Sequence, residues 1–526
     1  MPEAHHELPR PRRRTVLAAT AAAGLPVLAS CSYGPVDDGE VSAASGETGT
    51  VTIAQGVDPT TMDPLQQRET STANVLQHLY DPLVRRNRED PTVYEPALAE
   101  EWTQVDDTTW EFGLRQGVTF SDGTPFTAAA VKYTVDYLIG EITGDPALLS
   151  ANFASLSGAE VVDDFTVRLT TSSPAPLLMP RLPGLFIVKE GAVDSDPEAL
   201  AGNPIGTGPY TLEAWDRNAQ VVLRAREDHF GTTPAISTVV FQTVPDAAAR
   251  IAGLNAGSLD IVTNLAPDNA SEVEAAGTAA LAKVPSARIA SVWLDTLTAG
   301  PLADPRVRLA LNHAVDVQTI IDTVMGGYGT RVATFIPDYF TGHDSANEPL
   351  AYDPARAREL LQQAGHGDGF DMQMMVPSGR YPFAEQVAQA IQSYVGDVGV
   401  RLSLEVVDFG VFSDATNSGN VPDSYFAAYG NSTFNPLAHF QLAVRTGDSG
   451  YALFSDPAVD DLIDEASRTT DQDAQDALVS QVEAELLEQA PFIFLYAQVD
   501  LYGVAKRVEW KPSTDESVYM IDARIV

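Results

Sequence analysis

Apolar residues recur along this chain in short runs of two kinds, alternating and helical. Val51-Thr52-Ile53-Ala54 reads as a strand, and Thr72 to Val84 carries Val75, Leu76, Leu79, Leu83 and Val84 at helical spacing. Between them, the Asp58-Pro59 and Asp63-Pro64 steps disfavour helix and mark a loop. Trp102 to Val118 alternates through Trp110, Phe112 and Leu114, as paired antiparallel strands do. Ser121 to Phe126 is a tight turn, and Thr127 is placed to cap a helix reaching about Ile139. Val161 to Leu169 reads as a hairpin about Asp163-Asp164, with further strands at Tyr210–Trp215 and Gln220–Arg224. Later come a helix at Pro245–Gly257, a strand at Ile289–Leu294, and helices at Pro305–Val315 and Val317–Met325. Tyr352–Ala364 is a helix stopped by Gly365; Glu385–Val395 is a helix and Val400–Val407 a strand. Two acidic helices, Pro457–Ser467 and Asp473–Glu488, precede an apolar strand at Pro491–Tyr496. No repeat of 20–50 residues is present, and the alternation of strands and helices predicts an α/β fold.

The first thirty residues follow another pattern. Arg10, Arg12, Arg13 and Arg14 precede an Ala- and Leu-rich run from Val16 to Ala29, which ends in Leu28-Ala29-Ser30-Cys31. The run is shorter than the roughly 20 residues a membrane span requires, so it reads as an export signal. Leu-Ala-Ser-Cys resembles the bacterial lipobox, which implies cleavage before Cys31 and acylation of its thiol. Arg13 to Leu17 also resembles a twin-arginine signal, while the general export route accounts equally for the charges. Ser32 to Thr50 is rich in Gly, Ser, Thr and acids and reads as a tether with a reach of roughly 25 Å.

Composition narrows the function. The chain has 526 residues, 44% of them hydrophobic, which is ample for a multi-domain globular protein. Its 72 acids against 32 bases give a net charge of −40, and a field of that sign repels nucleic acid. A single cysteine cannot make an internal disulfide or a Cys-rich zinc site. His78, His229, His313, His343, His366 and His439 never pair at i+3 or i+4, so no protein-built metal cage is predicted. Gly206-Thr207-Gly208 leads into Pro209 and a strand rather than a helix, unlike a dinucleotide loop. Gly447-Asp448-Ser449-Gly450 resembles a serine-protease tetrapeptide, but Tyr451-Ala452 follows and no histidine motif precedes it. The acidic stretch from Asp456 to Glu488 reads as solvated helical faces, with Val459, Leu462, Ile463 and Ala466 as the inward stripe of the first helix. No enzyme, cofactor or nucleic-acid partner is expected.

Six motifs, in order, carry a resemblance to a known family. They are Thr61-Met62-Asp63-Pro64 with Tyr80-Asp81-Pro82-Leu83-Val84; Pro96 to Trp102; Phe112 to Phe126; Asn203 to Tyr210; Asp304 to Asn312; and Tyr352 to Leu361. Together they resemble the family 5 extracellular solute-binding proteins of ABC importers, the dipeptide, oligopeptide and nickel group. The resemblance implies two lobes of periplasmic-binding-protein type with a ligand cleft between them. Lobe I would run from residue 51 to 286 and return at 497–526, with an inserted subdomain at about 90–203. Lobe II would be 287–496, after a leader at 1–30 and a tether at 31–50. It further implies a monomeric receptor, held by lipid on Cys31 to the outer face of the membrane. That receptor would close on a peptide-like or other polar solute and present it to permease subunits. A sensor of the same fold, or a carrier of a nickel chelate or an oligosaccharide, is the alternative.

The same resemblance nominates site residues. The family's peptide binders hold the ligand's ammonium with an aspartate, four residues before a proline in an aromatic segment. Here that segment is Tyr425 to Pro436, and the matching position is Ser432, which cannot pair a buried ammonium. Free peptides such as tri-alanine are therefore expected to bind poorly. Arg380 matches an arginine that grips a ligand carboxylate in some relatives. Tyr429 and Phe434 are candidates to stack on the ligand, and Asn431, Ser432 and Asn435 to hydrogen-bond it or to form a turn. Asp63 reads as a turn residue.

Overall fold

The computed structural model describes residues 49–447 and 451–526. Cys31, the leader, most of the tether and Asp448-Ser449-Gly450 lie outside the described residues. Among the described residues no helix is long and apolar enough to cross a membrane.

The architecture rests on two long antiparallel strands, Ala279–Leu294 and Phe492–Ala505, at the middle of an eleven-stranded sheet. Their pairing is interrupted. Ala279 to Pro285 pair with Ala505 to Val499, and regular pairing resumes only at Ile289 opposite Ala497. On one side of this break the sheet continues through Ile261–Val262, Thr50–Gln55, Thr238–Thr243, Gln220–Ala225 and Tyr210–Asp216. On the other it continues through Ser424–Gly430, Asp371–Ser378 and Arg401–Asp408, with Gly329–Arg331 joined to the side of the second long strand. Each side has its own core. Val51, Ile53, Leu223, Val239 and Phe241 are buried in the first, and Val292, Leu311, Met374, Ile391 and Leu495 in the second. Fully burying one such side chain contributes about 1.5–3 kcal/mol, so both halves hold cores of their own.

A separate four-stranded antiparallel sheet forms within the first half. Its order is Ala99–Asp106, Thr109–Leu114, Thr166–Thr171 and Leu156–Asp163, and the helix Ala128–Ile139 packs against the last of these. Phe112, Val131, Val135, Val167 and Leu169 weld it into the first core. Thr127 is the N-cap of that helix, yet its side chain makes no capping bond. The first helical N–H, from Ala128, instead donates to the Asp164 carbonyl at 2.9 Å, so the hairpin turn does the capping.

Three other helices start as their sequences dictate. Asp304-Pro305, Asp353-Pro354 and Asp456-Pro457 each place an Asp at the N-cap and a Pro in the first turn, and each Asp side chain accepts a backbone N–H of that turn. The loop at Asn203 to Tyr210 needs its glycines for space. A Cβ on Gly206 would lie 2.1 Å from the Leu79 carbonyl oxygen, and one on Gly208 would lie 2.5 Å from that of His78. The loop thus lies against the C-terminal end of the helix Thr70–Leu79.

Candidate functional site

A cleft of about 1370 Å³ opens between the two halves. Its second wall is the turn that follows the strand Ser424–Gly430, and its shape is set by hydrogen bonds within the turn. Asn431 is buried, and its amide donates to the Asn435 carbonyl at 2.9 Å and to His439 Nδ1 at 3.1 Å. Its carbonyl oxygen accepts from the Thr433 backbone and hydroxyl. Asn435 donates to Gln475 at 2.9 Å and accepts from Leu437 N–H. Phe434 is held at φ 53°, a left-handed conformation costly for a non-glycine residue, with its ring fully buried. Ser432 is left exposed at the tip, where it lines the cleft and its hydroxyl makes no hydrogen bond. Asn431 Nδ2 donates to His439 Nδ1, so that nitrogen is the acceptor and Nε2 carries the proton. Burial keeps this ring neutral, with its pKa lowered to about 4.

The first wall is rich in arginine. Six arginines line the cleft: Arg68, Arg85, Arg86, Arg88, Arg115 and Arg181. The carboxylates lining it are Glu69, Glu89, Glu95, Asp515 and Asp522. Arg85 pairs with the buried Asp81, Arg88 with Asp522 at 2.9 Å and Arg115 with Glu100 at 3.0 Å. Thr207 also donates to Asp81, and the charge of Arg85 helps to hold that carboxyl below its ordinary pKa against its own burial. Arg86 has no carboxylate. It donates to the carbonyls of Pro91 and Pro180, and its guanidinium lies 5.1 Å from the centroid of Phe434 in the opposite half. Arg181 is half-buried and its guanidinium makes neither a hydrogen bond nor an ion pair; burial lowers its pKa.

The structure gathers only some of the residues nominated by sequence. Asn431 and Ser432 line this cleft, while Phe434 meets Arg86 from beneath the turn. Asn435 is buried behind the turn as part of its frame. Tyr429 packs edge-on against Trp293 and Tyr451, at 5.3 Å from each, and Arg380 lies exposed with its guanidinium 5.5 Å from the Tyr381 and Phe409 rings. Neither Tyr429 nor Arg380 belongs to the lining of this cleft. Asp63 is a turn residue: buried, it accepts from Leu65 N–H and the Tyr137 hydroxyl. Asp423 is at the other end of the strand Ser424–Gly430, where it accepts from Gln373 N–H. Sequence reasoning missed Arg86 and Arg181. Arg85-Arg86-Asn87-Arg88 was the available signal, three bases in four positions of a strongly acidic chain. Among the described residues no group of histidine, cysteine and carboxylate side chains is placed to hold a metal ion.

The fold recurs in known proteins. The glutathione-binding protein GsiB of Salmonella paratyphi A is 27% identical over 463 residues, covering 85% of this chain and 89% of that protein. The same protein of Escherichia coli K12 is 26% identical over 489 residues, covering 90% and 91%. Among solved structures, NikA from Brucella suis in complex with Fe(III)-EDTA superposes with a TM-score of 0.82 at 23% identity, covering 91% of this chain and 100% of that one. DppA from Helicobacter pylori in complex with the peptide STSA gives 0.76 at 23% identity, covering 91% and 98%. These are two-lobed periplasmic binding proteins, and this chain has their fold. The profile for bacterial extracellular solute-binding proteins, family 5, middle region, matches residues 93–451. With that match added to the cleft and its two walls, the chain belongs to the family 5 extracellular solute-binding proteins of bacterial ABC importers.

Proposed function

We propose that this protein is an exported receptor, anchored by lipid on Cys31, that captures a small polar or peptide-like solute between two lobes and delivers it to importer subunits. The observation that carries this reading is the cleft of about 1370 Å³ with walls from both halves of the chain. A volume of that order accommodates a small solute rather than a macromolecule. Glutathione, peptides and chelates, for which the relatives are named, are solutes of this kind. The lobes are taken as 51–286 with 497–526, and 287–496, with an inserted part at about 90–203. The interruption of strand pairing between Pro285 and Ile289 supports a hinge there. Few bonds need to break for the halves to turn about it. The receptor acts as a monomer and performs no catalytic step. Work is done by differential affinity: a solute that touches both walls binds the closed form more tightly and shifts the population toward it.

Scattering before and after removal of the co-purifying solute tests this function. Compaction with solute is the expected result, and an unchanged radius of gyration contradicts closure. The anchor is tested separately by Cys31→Ser, which should move the protein from the membrane to the soluble fraction; retention in the membrane contradicts lipidation.

A further inference from the structure

The break in strand pairing holds charged groups drawn from both halves. Pairing of the two long strands stops at Pro285 opposite Val499 and resumes at Ile289 opposite Ala497, and Ser286, Ala287 and Arg288 fill the gap. Ala287 is held from both sides: its N–H donates to the Thr514 carbonyl at 3.1 Å, and its carbonyl accepts from Asn431 N–H at 3.0 Å. Arg288 reaches across the break to Glu516, at 3.1 Å from Nε and 2.9 Å from Nη2, while its Nη1 donates to the Ala428 carbonyl at 2.8 Å. Glu516 is fixed at φ 64°, a left-handed conformation costly for a non-glycine residue. The Ser286 hydroxyl donates to the same Glu516 oxygen at 3.4 Å, and the Tyr339 hydroxyl donates to the Ser286 carbonyl at 2.6 Å. Asp500 lies beside them on the second long strand, opposite Val284, and is buried, with Gln498 donating to its Oδ1 at 2.7 Å.

Charge in this cluster does not balance. Arg288 and Tyr339 face Asp500 from the segment 287–496, and Glu516 and Tyr502 face it from 497–526. Further out, Asp338 lies beside Tyr339, Asp515 beside Tyr502, and Tyr381 and the exposed Arg380 beside Arg288. Burial raises the Tyr339 and Tyr502 phenols, so both stay neutral near pH 7. Among the described residues one buried guanidinium thus serves two carboxylates, and its fork is spent on Glu516. Ionising Asp500 as well leaves a buried negative charge without a counter-charge, which is costly. Burial first, and then the charge of Glu516, push the Asp500 carboxyl well above its ordinary range. In this conformer the halves also touch far from the break, through Arg86 against the Phe434 ring and through Thr470 Oγ1, 3.4 Å from Asp107 Oδ1. It is a closed arrangement.

We propose, resting on the receptor reading above, that Asp500 is a proton-operated positioning group of the hinge. The closed form holds it as the neutral acid beside the Arg288–Glu516 pair. Opening turns the half that carries Arg288 away from the half that carries Glu516, and hydrates and ionises Asp500. Closure therefore takes up a proton. Because the closed form binds that proton more tightly, closure strengthens as pH falls and weakens as pH rises from 5 to 8. A solute that selects the closed form is then held more tightly on the acidic side.

The test reads the separation of the halves in the full chain, by fluorescence energy transfer between dyes at Val105→Cys and Asp473→Cys in a Cys31→Ser background. Both positions are exposed and flank the Asp107–Thr470 contact. The ratio of high-transfer to low-transfer molecules should fall at least about tenfold between pH 5 and pH 8, the effect of a difference of about one pKa unit between the two forms. Asp500→Asn, neutral throughout, should keep its pH 5 ratio at pH 8. Glu516→Gln should flatten the profile too, because Arg288 is then free to pair an ionised Asp500. Glu483→Gln, which removes the raised carboxyl of the helix Gln472–Gln489, should keep the wild-type slope. A ratio independent of pH in wild type, an unchanged slope in either Asp500→Asn or Glu516→Gln, or a slope lost equally in Glu483→Gln overturns the proposal. Should one hinge variant fail to fold, the other decides by the same criterion. The receptor reading is judged apart: transfer that rises when the co-purifying solute is returned at fixed pH upholds closure even where pH has no effect, and transfer that responds to neither counts against both.

Discussion

The two walls of the cleft are built in opposite ways. In the second wall the polar side chains are spent on one another: Asn431 on His439, Asn435 and Thr433, and Asn435 on Gln475. In the first wall three guanidinium groups, those of Arg68, Arg86 and Arg181, have no carboxylate partner among the described residues. The second wall therefore supplies shape, and its residues matter to stability. The first brings arginine side chains to the cleft. Arg86 over the Phe434 ring is where the two meet.

The largest effect should come from the shape-giving wall. Asn431→Ala leaves His439 Nδ1 and the Thr433 N–H without their partner, while the Asn435 carbonyl still accepts from the Thr433 hydroxyl and from Ala438 N–H. An unsatisfied buried group costs about 1–3 kcal/mol, so a loss of about 3 kcal/mol is expected in urea unfolding. A loss below about 0.5 kcal/mol, within the range of ordinary surface changes, would mean that the turn does not hold the wall.

A smaller effect sharpens the contrast from behind the second wall. Glu483 is buried, accepts from Thr334 and Asn347, and has its pKa pushed up to about 7 by burial. A carboxylate raised in the fold binds more protons there than in the unfolded chain, so its contribution to stability falls as pH rises from about 4.5 to about 7. The buried neutral rings of His78 and His439, lowered to about 4, act in the opposite sense as pH rises toward 6.5. The informative quantity is therefore the difference between Glu483→Gln and wild type. Relative to wild type, the variant should gain about 2 kcal/mol in going from pH 5 to pH 8, by denaturant melts. Parallel profiles would show that Glu483 is not held protonated.

Much of the fold was legible because its signals are local. Asp304-Pro305, Asp353-Pro354 and Asp456-Pro457 announce helices through the N-cap and first-turn chemistry of the residues themselves. Val459, Ile463 and Ala466 are buried as their spacing predicts, with Leu462 half-buried beside them. The helix expected over Thr72 to Val84 stops at Leu79 instead, because Val84 to Arg86 pairs as a strand with Tyr94 to Pro96. That pairing is invisible to helical periodicity. The two long strands were seen only at their apolar ends, Ile289–Leu294 and Pro491–Tyr496. Pro285 and Asp500 interrupt the pattern where the strands cross between halves, and their partners, Val499 and Val284, lie more than 200 residues away. The site divided in the same way. The turn at Asn431 to Asn435 was readable from its own residues and a family motif. Arg181 was not, because nothing near it in sequence distinguishes a guanidinium that faces a cleft from one that faces solvent.

Hydrogen exchange with and without the co-purifying solute tests the central claim most directly, because it reports on both walls in one experiment. If the solute sits between the walls, backbone amides at 84–88, at 178–185 and at 430–434 should all gain protection when it is returned, while the acidic helices Pro457–Ala466 and Gln472–Gln489 stay unchanged. Protection confined to one wall, or absent from both, would contradict the account.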